Sequence, residues 1–162
     1  MRKLIVLIEA TIIFVFICSS CTPRTEPQIG VEEKYINQYF ILRAPIIENS
    51  FSFGSPIFLE VKNISEEKII FPRDFNIVMF VQINDTWKEV PEKPIERIPD
   101  NDLILFPFSE TRNILSFAVI PDLPISHERQ KIRIYIIGKT DNGDNSIEIA
   151  SFTDIILIPI KE

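Results

Sequence analysis

Apolar residues recur at every second position over much of the chain beyond residue 38. Ile132, Ile134 and Ile136, for example, are separated by Arg133 and Tyr135. A period of two sends successive side chains to opposite faces of a strand. We therefore expect the isoleucines in a core, and Arg133 and Tyr135 on a face wetted by solvent. No window shows a sustained helical period, so the pattern predicts an all-β chain of antiparallel strands.

Turn-forming residues divide this pattern into nine predicted strands. They lie at about 38–45, 56–63, 67–71, 76–83, 86–90, 103–106, 112–120, 130–138 and 146–158. The last strand is long, and we expect it to break near Ser151. The pair Asn142-Gly143 tolerates the positive φ of tight turns, so it predicts a hairpin joining the last two strands. The pattern leaves room for at most a turn or two of helix, near residues 126–130.

The first 21 residues follow a different pattern. Arg2 and Lys3 precede an apolar run from Leu4 to Ile17, and the sequence Cys-Ser-Ser-Cys follows at residues 18–21. A positive start, a short apolar core and small residues are typical of a secretion signal. The run of about 14 residues is shorter than the roughly 20 that span a bilayer comfortably. The pattern therefore predicts that the chain is exported.

The ending Ser19-Ser20-Cys21 resembles the signals of bacterial lipoproteins, in which the cysteine is freed by cleavage and acylated. The resemblance implies a signal peptide at 1–20, a lipidated cysteine with a flexible tether at 21–37, and a β-sandwich domain at 38–162. The domain is then extracytoplasmic, anchored to the cell membrane or outer membrane by a lipid on Cys21. Two alternatives remain open, namely an uncleaved anchor helix from about Leu4 to Ser20 and a plain secretory signal cut near Ser20.

Charge and cysteine content narrow the possible partners. The formal net charge is −6, and removing residues 1–20 with Arg2, Lys3 and Glu9 leaves 15 basic and 22 acidic residues. Nucleic-acid phosphates repel an acidic surface, so we expect no nucleic-acid partner. Both cysteines, Cys18 and Cys21, lie in the signal segment. The predicted domain therefore has no disulfide, thiolate zinc site or cysteine nucleophile.

An alternating strand at Ile57–Lys62 is followed by Asn63-Ile64-Ser65 and by an apolar strand at Ile69–Phe71. This hairpin resembles the second strand and turn of bacterial immunoglobulin-like domains. Together with the number of short strands, it predicts a single immunoglobulin-like antiparallel β-sandwich. A similar hairpin occurs in a small family of bacterial proteinase inhibitors that have this kind of sandwich.

The residues that carry chemistry form no recognised catalytic motif. His127 is the only histidine, and its neighbour Ser126 is not in a Gly-x-Ser-x-Gly elbow, so we interpret His127 as a solvent-exposed loop residue. Asp100 and Asp102 are interpreted as a solvated loop end rather than an acid–base pair. The turn 141–145 has two aspartates but lacks the ligand spacing of a calcium loop. We therefore expect no catalytic residue, metal or cofactor.

One group of aromatic residues is a candidate partner surface. Phe106 and Phe108 flank Pro107, which limits strand pairing, and Trp87 follows a predicted turn. Aromatic residues that remain exposed are typical of protein interfaces. We therefore predict that Trp87, Phe106 and Phe108 contribute to a binding patch, with core filling as the alternative.

These observations predict a tethered, non-catalytic binding or structural module of the cell envelope with a protein or envelope partner. Binding would use loops or an open sheet edge rather than a deep pocket. One alternative is a proteinase inhibitor that presents the proline-bearing loop Pro91–Pro99. Another is an enzyme, which would need a polar cleft with convergent carboxylates.

Overall fold

The computed structural model describes residues 26–44, 50–52, 56–91, 99–118 and 129–158. Cys21, His127 and the interior of the 91–99 loop lie outside these residues, as does most of the segment 126–130, where the pattern leaves room for a helical turn. Among the residues that the structure describes, no helix is long and apolar enough to cross a lipid bilayer.

The described residues form ten strands and two short 3₁₀ turns. The strands are β1 (Phe40–Arg43), β2 (Ser50–Ser52), β3 (Pro56–Asn63), β4 (Ile69–Phe71), β5 (Val78–Ile83), β6 (Thr86–Val90), β7 (Leu103–Leu105), β8 (Glu110–Ala118), β9 (Gln130–Thr140) and β10 (Glu148–Ile158). The 3₁₀ turns are Glu33–Tyr35 and Gly143–Asn145. The nine predicted strands are confirmed within a few residues, whereas the sequence pattern missed β2.

The strands form two sheets. The smaller sheet has the order β1-β3-β8, with antiparallel neighbours. The larger sheet is built around β9, which pairs antiparallel with β10 on one side and with both β4 and β5 on the other. β6 extends it from β5, β7 from β4, and β2 pairs parallel to β10.

This strand order is that of an immunoglobulin-like sandwich. β1, β3 and β8 take the places of strands A, B and E in one sheet, and β5, β9 and β10 take those of C, F and G in the other. Two sheets that each bury one face share a single core between them. The predicted all-β, immunoglobulin-like sandwich is therefore confirmed.

The core lies between the inner faces of the two sheets. Its fully enclosed side chains include Phe40, Ile57, Leu59, Val61, Ile69, Phe71, Ile132, Ile134, Ile136, Ile149, Ile155 and Leu157. Ile132, Ile134 and Ile136 of β9 point inward as predicted. The hairpin predicted at Asn142-Gly143 joins β9 to β10, and Gly143 has a φ of 56° there.

β10 is one unbroken strand, so the break expected near Ser151 is wrong. It pairs with β9 continuously from Glu148 opposite Lys139 to Leu157 opposite Gln130. The Ser151 hydroxyl, instead of marking a break, accepts a hydrogen bond from the Leu42 amide of the facing sheet at 3.1 Å. Ser151 therefore connects β10 to β1 of the facing sheet.

β9 is buried on both faces, so the solvent exposure expected for Arg133 and Tyr135 is also wrong. Arg133 is 7% exposed and Tyr135 2% exposed, although both point away from the core. Phe80 and Phe152 pack against the Tyr135 ring at centroid distances of 5.9 and 5.2 Å. Alternation correctly gave the direction of these side chains but not what covers them.

Gly138 of β9 has no room for a side chain. A Cβ placed there would lie 2.7 Å from the Phe71 ring and 3.0 Å from the Ile70 carbonyl oxygen. Because Phe71 is itself fixed between Phe40 and Phe75, the ring has little freedom to move. We therefore expect Gly138→Ala to lower the free energy of unfolding by about 1–3 kcal/mol.

Urea unfolding followed by fluorescence of Trp87, the only tryptophan, measures this change. Gly30 has open space around it but a φ of 81°. The control is therefore Lys139→Ala, at the exposed next position of β9. An unfolding midpoint for Gly138→Ala equal to that of the wild type would contradict the close contact with Phe71.

Candidate functional site

The predicted aromatic patch contains one tight turn with two exposed phenylalanines. Phe106 and Phe108 are each 63% exposed, the highest values among the large apolar residues of the described chain. Between them, Pro107 takes the second position of a turn that the Ser109 amide closes by donating to the Phe106 carbonyl oxygen at 3.1 Å. Phe108 has a φ of 56° at the third position. Proline second and a positive φ third are typical of a type II turn.

Phenylalanine is an unusual residue at this position. A positive φ in the third position of a type II turn favours glycine or asparagine, and other residues incur a strain of about 1–2 kcal/mol. Phe75 also has a positive φ, but it is 2% exposed and stacks on Phe71 at 5.8 Å. Core packing therefore offsets the strain at Phe75, whereas no burial offsets it at Phe108. Strained residues that no packing accounts for cluster at binding sites.

Asn63 fixes this turn from inside the protein. Its side chain is fully buried, and its Nδ2 donates to the carbonyl oxygens of Phe106 and Glu67 at 3.1 and 2.7 Å. Its backbone amide donates to the Ser109 carbonyl oxygen at 2.8 Å, and its Oδ1 accepts from the Ser65 amide and hydroxyl. The Ser109 hydroxyl adds a third donor to the Phe106 carbonyl, at 2.7 Å.

The network joins the β3–β4 turn to the β7–β8 turn at one end of the sandwich. Ile64, also exposed, follows Asn63 directly and so belongs to the same end. We define the aromatic end as Ile64, Phe106 and Phe108. Because its turn is held by buried hydrogen bonds, little ordering entropy is lost when a partner binds it.

Trp87 lies at the opposite end of the larger sheet. Its strand partner is Gln82 of β5. Gln82 follows Val81, and Val81 pairs with Ile132 near the start of β9. Phe106, by contrast, follows Leu105 of β7. Leu105 pairs with Ile69 of β4, and Ile69 pairs with Thr140 at the end of β9. The two ends are therefore about ten residues apart along β9, on the order of 30 Å. The structure brings Phe106 and Phe108 together and leaves Trp87 apart from them.

Trp87 instead belongs to a charged cluster on the outer face of the larger sheet. The Arg133 guanidinium lies 4.8 Å from the centroid of the Trp87 ring and 4.1 Å from that of Phe152. It donates two hydrogen bonds to the Asp154 carboxylate, at 2.7 and 3.0 Å, and a further one to Glu26. Lys131 also pairs with Asp154, at 2.6 Å.

Burial and hydrogen bonding shift the pKa values of three groups in this cluster, namely Arg133, Tyr135 and Asp154. Burial opposes the charge on Arg133, but hydrogen bonding and attraction to Asp154 outweigh it and raise the pKa. Burial likewise disfavours the Asp154 carboxylate, yet the hydrogen bonds from Arg133 and Lys131 lower its pKa overall. Burial raises the pKa of Tyr135. Each group therefore keeps one protonation state near neutral pH, whereas acid–base catalysis needs a pKa close to the working pH.

An open groove of about 850 Å³ runs beside this cluster. One wall is the segment 26–38, and the other is formed by Arg133, Tyr135 and Phe152. Residues 26–37, which we call the strap, lie along the outer face of β9 and β10. Ile36 forms a bridge to Ala150, although we assigned this residue to the tether.

The aspartates considered as acid–base or calcium candidates do not come together in one site among the described residues. Asp100 and Asp102 are exposed ahead of β7, and Asp144 is exposed in the β9–β10 turn. Asp141 forms an ion pair with Lys68. Within the described ranges, no group of three or more histidine, cysteine, aspartate or glutamate side chains is arranged to hold a metal ion.

Sequence analysis missed Asn63 and the Arg133–Asp154 pair. The sequence marks Asn63 only as the start of a turn. The pattern that could have indicated its role is Asn-x-Ser at the end of an alternating strand. Arg133 and Asp154 lie 21 residues apart in two alternating strands. Only the register of β9 against β10, which places them opposite each other, shows that they pair.

Comparisons with known proteins give structural similarities at low identity. No protein-family model matches the sequence, and a search of curated proteins finds no match. The sporulation control protein Spo0M from Bacillus subtilis is similar with a TM-score of 0.44 and 12% identity, over 74% of this chain and 49% of that one. The CsuC–CsuE chaperone–tip adhesion subunit complex of Acinetobacter baumannii Csu pili is similar with a TM-score of 0.43 and 12% identity. The match covers 74% of this chain and 51% of that one.

The ASH/PapD-like domain of human CEP192 gives a TM-score of 0.41 and 10% identity, over 88% of this chain and 96% of that one. The chain thus spans about half the length of the first two matched chains. The fold assignment rests on the strand order described above.

Proposed function

We propose that this chain is a membrane-tethered, extracytoplasmic lipoprotein whose immunoglobulin-like domain is a non-catalytic binding module. In this proposal the lipid is on Cys21, and the aromatic end binds a protein or envelope partner. The single observation that supports the binding role is Phe108, which is 63% exposed at a positive φ on a turn fixed by Asn63. Neither local conformation nor core packing favours phenylalanine there, so contact with a partner is the remaining physical reason for it.

Site-specific photocrosslinking in the producing cell tests the binding role. A benzophenone side chain at position 108 keeps an aromatic group in place, and we expect it to give a discrete adduct of higher mass. Phe58 is the matched control because it is a phenylalanine that is 40% exposed within a strand, β3, rather than in the turn. Adducts of equal yield from both positions, or none from 108, would contradict the proposal.

The anchor has its own test. We expect Cys21→Ser to abolish lipid attachment, because it removes the acylated thiol, and with it the membrane-bound mature form. Mass spectrometry of the wild-type N-terminus is expected to show Cys21 as the first residue with a lipid attached. Cys18→Ser is the control and should leave lipid attachment unchanged. A wild-type chain that begins at an unmodified residue contradicts the anchor but leaves the binding role standing.

A further inference from the structure

The strap sets where the tether leaves the domain. Asn37 Oδ1 accepts hydrogen bonds from the Ser151 hydroxyl at 2.7 Å and from the Phe152 amide at 3.1 Å, which fixes one end of the strap to β10. At its other end, Glu26 forms an ion pair with Arg133. The tether that leads back to Cys21 therefore begins at Glu26, beside Arg133.

This exit point lies far from the aromatic end. Arg133 is three residues from the start of β9 and seven residues from its end at Thr140. Thr140 is level with Leu105, because both residues pair with Ile69 of β4. At about 3.3 Å per residue, Phe106 lies on the order of 25 Å further along the sheet than Arg133.

The tether is too short to cover that distance. Four residues lie between Cys21 and Glu26, which makes five Cα–Cα steps. Fully extended, they span at most about 17 Å. With a lipid on Cys21 and Glu26 bound to Arg133, the domain cannot stand with its aromatic end on the bilayer.

Charge beside the aromatic end also disfavours a lipid surface. Glu66 is exposed three residues after Asn63 and is followed by Glu67, whereas the exposed Glu110 pairs with Arg112 at 3.6 Å and with Arg43 at 4.0 Å. Carboxylates are repelled by anionic lipid headgroups but attract lysine and arginine across a protein interface. An aromatic centre with Glu66 and Glu67 on one side fits a partner that has an apolar recess bordered by basic residues.

We infer that the aromatic end faces away from the membrane and binds a protein with an apolar recess bordered by lysine or arginine. This inference rests on the proposed lipid anchor at Cys21. It adds the orientation of the domain and the chemistry of the partner.

Fluorescence quenching in vesicles tests the orientation. The mature lipidated protein has no other cysteine, so Glu66→Cys and Arg129→Cys place one label at either end of the sandwich. In vesicles of phosphatidylcholine with 20–30% phosphatidylglycerol (roughly the charge of an anionic membrane surface) and a headgroup quencher, we expect at least about threefold stronger quenching at position 129. Equal quenching, or stronger quenching at 66, would overturn the inference.

Two further variants test its separate steps. Glu26→Lys should detach the strap and reduce the difference in quenching, whereas Glu33→Lys, the same charge change at an exposed strap position, should not. Glu66→Lys should lower the yield of the adduct at position 108 at least about threefold, with Glu89→Lys as the control. An adduct to lipid, or a yield unchanged by Glu66→Lys, contradicts the basic protein partner.

The outcomes separate the inference from its premise. A mature chain without lipid overturns both the anchor and the orientation derived from it. A lipidated chain with equal quenching at both ends overturns the orientation alone and leaves the tethered binding module intact.

Discussion

Asp154→Asn is expected to lower the free energy of unfolding by about 3 kcal/mol, although the residue lies outside the hydrophobic core. The substitution leaves the Arg133 guanidinium, only 7% exposed, without its bidentate partner. Removing one member of a buried pair is more costly than the net contribution of the pair, because an uncompensated charge stays behind. The Glu26 carboxylate remains paired with Arg133, but with its side chain 65% exposed it replaces only part of the lost bidentate contact.

Urea unfolding followed by Trp87 fluorescence measures this loss, and Asp144→Asn in the exposed β9–β10 turn is the control. The double variant Arg133→Met with Asp154→Leu should recover most of the lost stability, because it removes both charges. If Asp154→Asn and Asp144→Asn unfold at the same urea concentration, the pair contributes nothing and this account of the outer face is wrong.

The same carboxyl group gives a pH dependence of known sign. Burial opposes the Asp154 charge, but the hydrogen bonds from Arg133 and Lys131 lower its pKa in the folded state below its value in the unfolded chain. Its stabilisation is therefore fully present above about pH 4, the pKa of an unperturbed aspartate, and is lost as the pH falls through the lower folded value. Asp154→Asn should lack this component of acid unfolding.

Asn63→Ala is expected to destabilise the protein by a similar amount, about 3 kcal/mol, and to lower its melting temperature by about 10 °C. The fully buried amide holds two backbone carbonyl oxygens and one backbone amide in two different turns. Without it, the Glu67 carbonyl oxygen and the Ser65 amide lose their side-chain partner, and the Phe106 carbonyl oxygen keeps only its hydrogen bonds from Ser109. Asn145→Ala, in an exposed turn, is the control for loss of an asparagine side chain.

The change should also be visible in function. Because Asn63 fixes the Phe106 carbonyl oxygen, its loss should loosen the turn and lower the yield of the adduct at position 108 even at temperatures where the protein is folded. A variant that keeps both its stability and its adduct would show that Asn63 does not organise this end of the sandwich.

Sequence periodicity predicted the strands well because burial of one face imposes a period of two on every strand of a sandwich. It failed at β9 for a related reason. Arg133 and Tyr135 alternate correctly, but their burial comes from the strap and from aromatic residues on neighbouring strands. Alternation gives the direction of a side chain and carries no information on what covers it. β2 was missed because its sequence, Ser-Phe-Ser, has a single apolar residue, whereas β4 and β7 are equally short but apolar throughout.

The candidate site was predicted in part. Composition and the Phe-Pro-Phe sequence indicated Phe106 and Phe108, since proline limits pairing and leaves neighbours exposed. The grouping with Trp87 depended on how the strands are ordered in the sheet, which local sequence does not determine. The positive φ of Phe108 was also beyond the sequence, because phenylalanine is not a residue that marks such a turn.

The most direct test of the central claim is Phe108→Asn, measured for stability and for binding in the same cells. Asparagine tolerates a positive φ, so the variant should be as stable as the wild type or up to about 1 kcal/mol more stable. With a benzophenone group at position 106, its adduct yield should nevertheless fall at least about tenfold, as for a residue central to an interface. A variant that is markedly less stable, or that crosslinks as well as the wild type, would contradict the account.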